Sequence, residues 1–475
     1  MTKKLLITML IGIMGFLSSA QLSWAKEKES MALTIYNQNF GVVKDIRYID
    51  IKKGISDFTC RDIAASIDPT SVRFVSLTDP EGTVILEQNY EYDLINSQKL
   101  MQKYIDREII IDVGGIKKKA VLLSTQGGNI IRMDGEIYLN APGRIILPEL
   151  PEGLITKPTL LWKIDARKGA NHLAKITYIT NNINWKSDYT LISKENDTLL
   201  DLSGWVTIDN KSGMTYKDAK IKLMAGDVHR IQPERYARVQ TEMRYQASRV
   251  GSPQFVEKGF AEYHLYTLQR PSTVKNSQIK QIELLNASDV KSEKIYIYRG
   301  ALFSTYRGYS TDDPRYGTEV NKKVNVMLKF RNSKENNLGM SLPMGKIRVY
   351  KLDKDDDSLE FIGEDQIDHT PKDEDIELYI GDAFDIIGER KQLNFKKISH
   401  KVFEETFEIK LRNHKKEEGA VEVKVIENLY RYADWEIITT SHNFTKTDSR
   451  TVEYKVKVPR DGEVKITYTV RYNSQ

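Results

Sequence analysis

The chain has 475 residues, of which 40% are hydrophobic and 29% charged, a balance typical of folded globular proteins and not of disordered ones. Its 71 basic and 66 acidic residues give a formal charge of +5, which is too small to indicate a nucleic-acid-binding surface. The length is sufficient for several domains of roughly 100–200 residues each.

The first residues have the pattern of a secretory signal peptide. Lys3 and Lys4 precede the apolar run 5–17, and Ser23 and Ala25 belong to a small-x-small triplet that predicts cleavage after Ala25. A membrane anchor is the alternative, but such a run spans only ~20 Å as a helix, less than the ~30 Å hydrocarbon core. We therefore expect an exported protein, periplasmic or extracellular, without a transmembrane segment after signal removal.

Cys60 is the single cysteine, so no internal disulfide is expected in spite of the predicted export. A catalytic thiol would need a histidine partner, and the first histidine, His172, is far along the chain. The better interpretation of Cys60 is a small, buried strand residue.

Alternation of apolar and polar residues with a period of two runs through much of the chain and predicts strands with one buried face. In one example the stretch 452–458 alternates, is followed by a turn, and resumes at 464–470, which predicts a hairpin. Asn96 or Ser97 is expected to cap a short helix. The sequence thus predicts an all-β protein of tandem antiparallel β-sandwich or small-barrel domains with one short connecting helix.

Shifts of composition and stretches rich in proline or glycine divide the chain. The predicted segments are a signal peptide (1–25), an N-terminal β domain that ends in the short helix (26–104), a small Gly-rich β unit (105–150), a central Trp-containing β domain (159–230), a mobile basic insertion (231–260), a continuation of the central β domain with an acidic hairpin (261–391) and a C-terminal Ig-like β-sandwich (392–475). The insertion is inferred because apolar periodicity fades there.

Three tryptophans, Trp162, Trp185 and Trp205, fall within the predicted central domain. Large aromatic residues in strands most often fill a core or wedge between sheets, and we prefer that interpretation. A platform on which a ligand stacks is the alternative.

Residues 353–389 carry a strong acidic bias. Four of their carboxylates have the spacing of a calcium-binding loop: Asp353, Asp355, Asp357 and Glu364. Ser358 stands where the sharp turn of that loop requires glycine, and the flanks predict strands, so a β-hairpin tip is the better interpretation. If any divalent cation binds, we expect it in 353–375 and only weakly; no metal ligands are assigned.

The sequence contains no complete motif for phosphate binding, zinc binding or catalysis. The stretch Gly339–Lys346 resembles a phosphate loop, but Ile347 replaces the hydroxyl residue that would hold magnesium. The seven histidines never stand close enough in sequence for a local zinc pair. We therefore predict no cofactor and assign no catalytic residue.

Short motifs are spread over nearly the whole predicted mature chain. They are LTIYNQNFGVV at 33–43, IDPTSV at 67–72, LEQNYEYDL at 86–94, NWKSDY at 184–189, LSGWV at 202–206, NKSG at 210–213, LMAGDVH at 223–229, EYHLY at 262–266 and IGD at 380–382. Together they resemble exported bacterial proteins of domain-of-unknown-function family number forty-one thirty-nine, which is similar in its β-domain to mucoidy-inhibitor A homologues. Those homologues carry a long coiled-coil hairpin where this chain has only the short helix. The resemblance implies an exported, β-rich protein and supplies no catalytic residues.

A candidate cleft follows from these motifs, with five members: Asp188, Asp227, His229, His264 and Tyr266. The preferred alternative is structural, with glycines in turns and tryptophans in a core. Our leading hypothesis is an exported envelope protein that acts as a non-enzymatic binding or scaffold module for protein or polysaccharide partners, without a nucleic-acid partner. The second hypothesis is an uncharacterised extracytoplasmic hydrolase with a dispersed site near His229 and His264.

Overall fold

The computed structural model describes residues 28–91, 96–140, 143–149, 157–194, 197–226, 228–230, 254–302, 313–353, 355–416, 419–429 and 431–473. The predicted signal peptide with its cleavage site, residues 231–253 of the predicted insertion, and Asp227 lie outside them. Within the described residues the predicted all-β, multi-domain fold is confirmed, and a single α-helix is present. None of the helices in these ranges has the length and apolar character needed to cross a membrane.

One sheet of eight strands contains the first strand of the chain. Its members are β1 (Ser30–Tyr36), β2 (Phe40–Ile51), β4 (Arg73–Ser76), β12 (Ala170–Asn181), β15 (Tyr216–Ala225), β16 (Phe255–Phe260), β17 (Tyr263–Leu268) and β18 (Ser272–Val274). Their order is β16-β17-β15-β1-β2-β12-β4, with β18 beside β15. A separate three-stranded sheet has the order β3 (Gly54–Cys60), β11 (Thr159–Ala166), β5 (Thr83–Glu91).

The largest sheet has 13 strands and extends to the end of the described chain. Its members are β13 (Ile183–Ser193), β14 (Leu199–Asn210), β19 (Gln278–Tyr298), β20 (Lys323–Arg331), β21 (Gly345–Leu352), β22 (Leu359–Ile367), β23 (Asp375–Lys397), β24 (Val402–Asn413), β25 (Val421–Asn428), β26 (Asp434–Thr440), β27 (Thr445–Lys446), β28 (Thr451–Val458) and β29 (Gly462–Asn473). The main path is β22-β21-β13-β14-β19-β20-β23-β24-β29-β26. Most pairs are antiparallel; the parallel ones are β1 with β15, β13 with β21, and β19 with β25.

A small β unit with its own core is inserted between β5 and β11. It begins with α1 (Ser97–Lys103), where the Asn96 side chain accepts a hydrogen bond from the backbone N–H of Lys99 at 2.8 Å, so the predicted short helix is confirmed. The sheet that follows has the order β10 (Arg144–Ile146), β6 (Glu108–Val113), β7 (Ile116–Ser124), β8 (Ile130–Met133), β9 (Glu136–Leu139). Its core consists of side chains such as Ile109, Leu122 and Ile131.

The central core is shared by strands that are distant in sequence. Residues 26–104 and 159–230, predicted as separate domains, contribute to the same sheet, because β1 pairs with β15 and β2 pairs with β12. Trp162 and Trp185 are buried in this core, as predicted, whereas Trp205 is half-buried and lies outside it. Periodicity indicates which face of a strand is buried but not which strand is its neighbour.

Three strands, β19, β20 and β23, connect the central core with a second, C-terminal core. In β19, Ile282 belongs to the central core and Tyr298 to the C-terminal one. The same division occurs along β23, where Leu378 and Ile386 belong to different cores. The boundary predicted between residues 391 and 392 therefore lies inside a continuous strand, β23.

The predicted hairpin of 452–458 and 464–470 is wrong, although both strands exist. β28 pairs with β25 and β27, and β29 pairs with β24 and β26. The rings of Tyr454 and Tyr468 meet at a centroid distance of 6.0 Å inside the C-terminal core. The two strands are therefore not hydrogen-bonded neighbours; their apolar faces pack against each other across the core. Both arrangements bury every second residue, so the sequence periodicity is the same as for a hairpin.

Two further predictions have clear outcomes. The acidic segment forms a β-hairpin tip, as predicted, because β21 pairs with β22 and the Asp353 N–H donates to the Ser358 carbonyl at 2.9 Å. The end of the predicted mobile insertion, in contrast, is a strand: Phe255–Phe260 is β16, paired with β17, and Phe255 is buried in the central core.

Candidate functional site

The candidate site lies on the β16–β17 hairpin at the end of the eight-stranded sheet. His264 and Tyr266 are two residues apart on β17, so their side chains project from the same face. Glu257 on β16 is directly opposite Tyr266, which places its carboxylate beside both side chains. The hairpin thus brings together two of the five predicted residues and adds a carboxylate.

Glu257 connects His264 with a distant segment of the chain. His264 Nδ1 lies 2.7 Å from Glu257 Oε1, and the backbone N–H of Ser341 donates to Glu257 Oε2 at 2.8 Å. The His264 side chain is 41% exposed and that of Glu257 only 18%. Because an ionised carboxylate only accepts hydrogen bonds, His264 Nδ1 is the donor in this contact.

Tyr266 also binds the backbone of Ser341, from the side of the central core. Its hydroxyl donates to the Ser341 carbonyl at 2.8 Å, and its ring lies 6.3 Å from that of Trp185. Burial, and then the nearby Glu257 carboxylate, raise the pKa of Tyr266 above its ordinary value, so the hydroxyl remains a donor. Tyr189 donates in the same way to the Pro343 carbonyl at 2.8 Å. We call residues 337–344 the anchored segment.

A cleft of about 380 Å³ separates the anchored segment from β16 and β19. Its apolar lining consists of Phe255, Leu284, Leu285, Ala287, Leu338 and Met340. Two carboxylates, Glu257 and Glu283, also line it, and no lysine or arginine does so among the described residues. We call this space the β19 cleft; it is apolar and bears negative charge at its margin.

Asp188 is not part of this cleft. It alternates on β13 with Ser187 and Tyr189, and Tyr189 belongs to the central core. The Asp188 carboxylate accepts a hydrogen bond from the Thr207 hydroxyl at 3.1 Å and lies 4.0 Å from Arg348. These contacts place it on the face of the largest sheet that points away from Tyr266.

His229 is exposed and precedes Arg230, whose guanidinium lies 4.2 Å from the centroid of the Phe40 ring. No described contact joins His229 to His264 or Glu257. Of the five predicted residues, the structure therefore brings together His264 and Tyr266, which meet through Glu257 and Ser341.

The Glu257–His264 pair resembles the base half of a catalytic triad, but a nucleophile is also needed. Across the described ranges, no serine, threonine or cysteine side chain is hydrogen-bonded to His264. Nor do any three His, Cys, Asp or Glu side chains in these ranges form a group that could hold a metal ion. The arrangement can bind and orient a ligand; for hydrolysis it would need an attacking water.

Sequence reasoning missed Glu257 because it was assigned to the mobile insertion. A signal was available: Phe255, Phe260, Tyr263 and Tyr266 are closely spaced aromatic residues of the kind favoured in strands. The anchored segment had no comparable signal, since it contributes backbone groups whose position depends on the fold. The chain matches no protein-family model and no curated protein.

Proposed function

We propose that the protein is exported to the cell envelope and acts there as a non-enzymatic binding or scaffold module for protein or polysaccharide partners. The pattern of residues 1–25 supports export. The motifs that resemble family forty-one thirty-nine support the same location, and they assign no chemistry. The β19 cleft is the surface through which we expect a partner to bind.

One observation carries this proposal: the polar groups beside the cleft are already used to hold protein structure. Both oxygens of Glu257 are occupied, one by His264 and one by the Ser341 N–H, and the Tyr266 hydroxyl is bound to the Ser341 carbonyl. Fixed walls reduce the entropy lost when a partner binds. An apolar cleft with such walls is suited to recognition.

Site-specific photocrosslinking in intact cells of the native organism tests this function. A photoreactive phenylalanine derivative replaces Met340, which lines the cleft, or in a matched control Ile137, which is 61% exposed on the small β unit. We expect a discrete adduct of defined mass from position 340 and none from position 137. Equal adducts from both positions, or no adduct from position 340, would contradict binding at the cleft.

A hydrolase is the second candidate, favoured by the 2.7 Å contact between His264 and Glu257. It predicts that the wild-type protein cleaves an ester, glycoside or peptide substrate and that His264→Asn and Glu257→Gln both abolish cleavage. We expect the wild-type protein to give no turnover above the uncatalysed reaction, and Tyr48→Phe, a surface control with 48% exposure in the wild type, to behave like the wild type. Turnover that disappears in both site variants would establish the hydrolase instead.

A further inference from the structure

The edge of β19 beside the cleft has no strand neighbour among the described residues. From Gln278 to Lys291, β19 pairs with β14 on one side. Farther along, Ser292–Tyr298 pairs with β20 and the last residues also pair with β25. An unpaired strand edge presents backbone N–H and C=O groups that can accept an additional strand.

Side chains of the anchored segment and its preceding turn show where this edge is closed. The Asn336 amide accepts from the Lys291 N–H at 2.6 Å and donates to the Lys291 carbonyl at 3.1 Å. The Asn337 amide donates to the Ser288 carbonyl at 3.0 Å. These two asparagines hydrogen-bond to backbone groups of the edge at 288–291. In the described part of the chain, no asparagine side chain does the same at 283–287, which lines the cleft.

The geometry of β19 at the cleft favours a short added segment. The pairing with β14 shifts register at Gly204/Trp205, and Leu284 is the extra residue of this bulge. Leu284 and Leu285 are consecutive and both buried, so an apolar wall lies along the open edge. A bulge limits pairing to a few residues and discourages long edge-to-edge aggregation.

Charge defines the kind of segment that fits. Glu257 and Glu283 both line the cleft, which contains no basic residue among those described. Polysaccharides bind mainly to exposed aromatic faces and many polar groups, but here the lining is aliphatic apart from Phe255. An open backbone edge recognises a peptide backbone. Glu283 offers the carboxylate with which a lysine or arginine would pair, and the negative charge of Glu257, whose oxygens are already hydrogen-bonded, adds to the attraction from farther away.

We infer that the β19 cleft binds an extended segment of another protein, which adds as a strand to the open edge of β19 and carries apolar side chains next to lysine or arginine. The backbone hydrogen bonds of the edge supply affinity that depends little on sequence. The apolar wall and the carboxylates supply selectivity. This inference rests on the proposed binding function and specifies its partner class.

The probe is a fluorescent, capped octapeptide of alternating valine and lysine, with fluorescence anisotropy on the full mature chain as readout. A matched peptide has glutamate in place of lysine, and another carries N-methyl groups on alternate amides. We expect the lysine peptide to bind at least about tenfold more tightly than either comparison peptide. The glutamate peptide loses charge complementarity with the cleft, and the N-methylated peptide loses hydrogen bonds to the strand edge.

Charge reversal on β19 locates the site. Glu283→Lys should weaken binding of the lysine peptide at least about tenfold, whereas Glu293→Lys should change it less than about twofold. Glu293 is the control because it lies on the same strand where β20 already occupies the neighbouring position. Hydrogen exchange should slow at 283–287 when the peptide binds.

Several results would overturn the inference. They are absence of peptide binding, equal binding of the N-methylated peptide, insensitivity to Glu283→Lys, and self-association of the protein through this edge. A photocrosslinked polysaccharide at position 340 would also overturn it while leaving the general binding function intact. Loss of all adducts at position 340 would instead contradict the proposed function itself.

Discussion

Arg390 and Glu427 form an ion pair in the C-terminal core, with Arg390 Nε 2.8 Å from Glu427 Oε2 and side-chain exposures of 3% and 0%. The Tyr468 hydroxyl donates to the same oxygen at 2.5 Å, and the Arg390 guanidinium lies 3.8 Å from the centroid of the Phe407 ring. Arg390 also donates to the Gly317 carbonyl at 2.8 Å. The pair therefore holds together three parts of the chain: β23, which carries Arg390, β25, which carries Glu427, and the connection between β19 and β20, which contains Gly317.

Removing one partner of this pair should be costly. Arg390→Met keeps most of the side-chain volume but leaves the Glu427 carboxylate buried without its cation, so we expect a loss of about 3–5 kcal/mol in the free energy of unfolding. Urea unfolding followed by tryptophan fluorescence measures the loss.

The control is Arg412→Met, since Arg412 lies 3.3 Å from Glu389 with side-chain exposures of 34% and 37%. An exposed pair of this kind should contribute less than about 1 kcal/mol. Similar losses in both variants would show that burial does not determine the value of the Arg390 pair.

Asp197 should make stability depend on acid pH. Burial by itself would raise the pKa of Asp197, but hydrogen bonds from Lys294, Ser193 and Lys351 outweigh it and lower the pKa to about 2. A pKa below that of the unfolded chain, about 3.9, stabilises the folded state above pH 4, and this contribution disappears as pH falls toward 2. We expect Asp197→Asn to lose about 1–2 kcal/mol at pH 7 and progressively less below pH 4.

Unfolding free energies at pH 7, 4 and 3 test this difference. Asp289→Asn serves as control, because Asp289 also contacts a lysine, at 2.6 Å, but its side chain is 62% exposed. Its effect should stay within about 0.5 kcal/mol at every pH. A constant gap between wild type and Asp197→Asn from pH 7 to pH 3 would contradict the assignment.

Local signals in the sequence were enough to predict the helix and many of the strands, but not which strands pair with each other. Asn96 is a helix cap because its own side chain reaches the next turn, so the information is local. The pairing of β1 with β15 joins residues that are far apart in the chain, and nothing in either strand specifies the other. Hence the buried faces of many strands were predictable, whereas the division into domains was not.

The candidate site shows the same limit. His264 and Tyr266 were identified from their own motif, but their neighbours at the candidate site are Glu257 and the backbone of Ser341, which reach them through the fold. Asp188 was grouped with them from motif composition alone. The alternation along β13, read together with the burial of Tyr189, places its carboxylate on the opposite face.

Cys60 should be almost unreactive in the folded protein. Burial raises the pKa of its thiol to about 11, with Arg47 acting in the opposite direction. Compared with a thiol of ordinary pKa, the thiolate fraction at pH 8 falls about 100-fold, and burial restricts access further. Labelling with a chromogenic disulfide reagent should be slow in buffer and complete within the mixing time in concentrated guanidinium; rapid labelling in buffer would mean that β3 opens readily.

Gly388 on β23 should not tolerate a side chain, because a Cβ there would lie 2.1 Å from a ring carbon of Tyr298. That ring cannot easily move, since it is fully buried and its hydroxyl donates to the Asn321 carbonyl at 2.7 Å. We expect Gly388→Ala to lower the free energy of unfolding by about 1–3 kcal/mol. Gly259→Ala is the matched control, also in a strand but with open space around its Cβ position, and should change stability by less than about 1 kcal/mol. If both variants unfold at the same urea concentration as wild type, Tyr298 has room to shift and the C-terminal core is less tightly packed at β23 than the distances indicate.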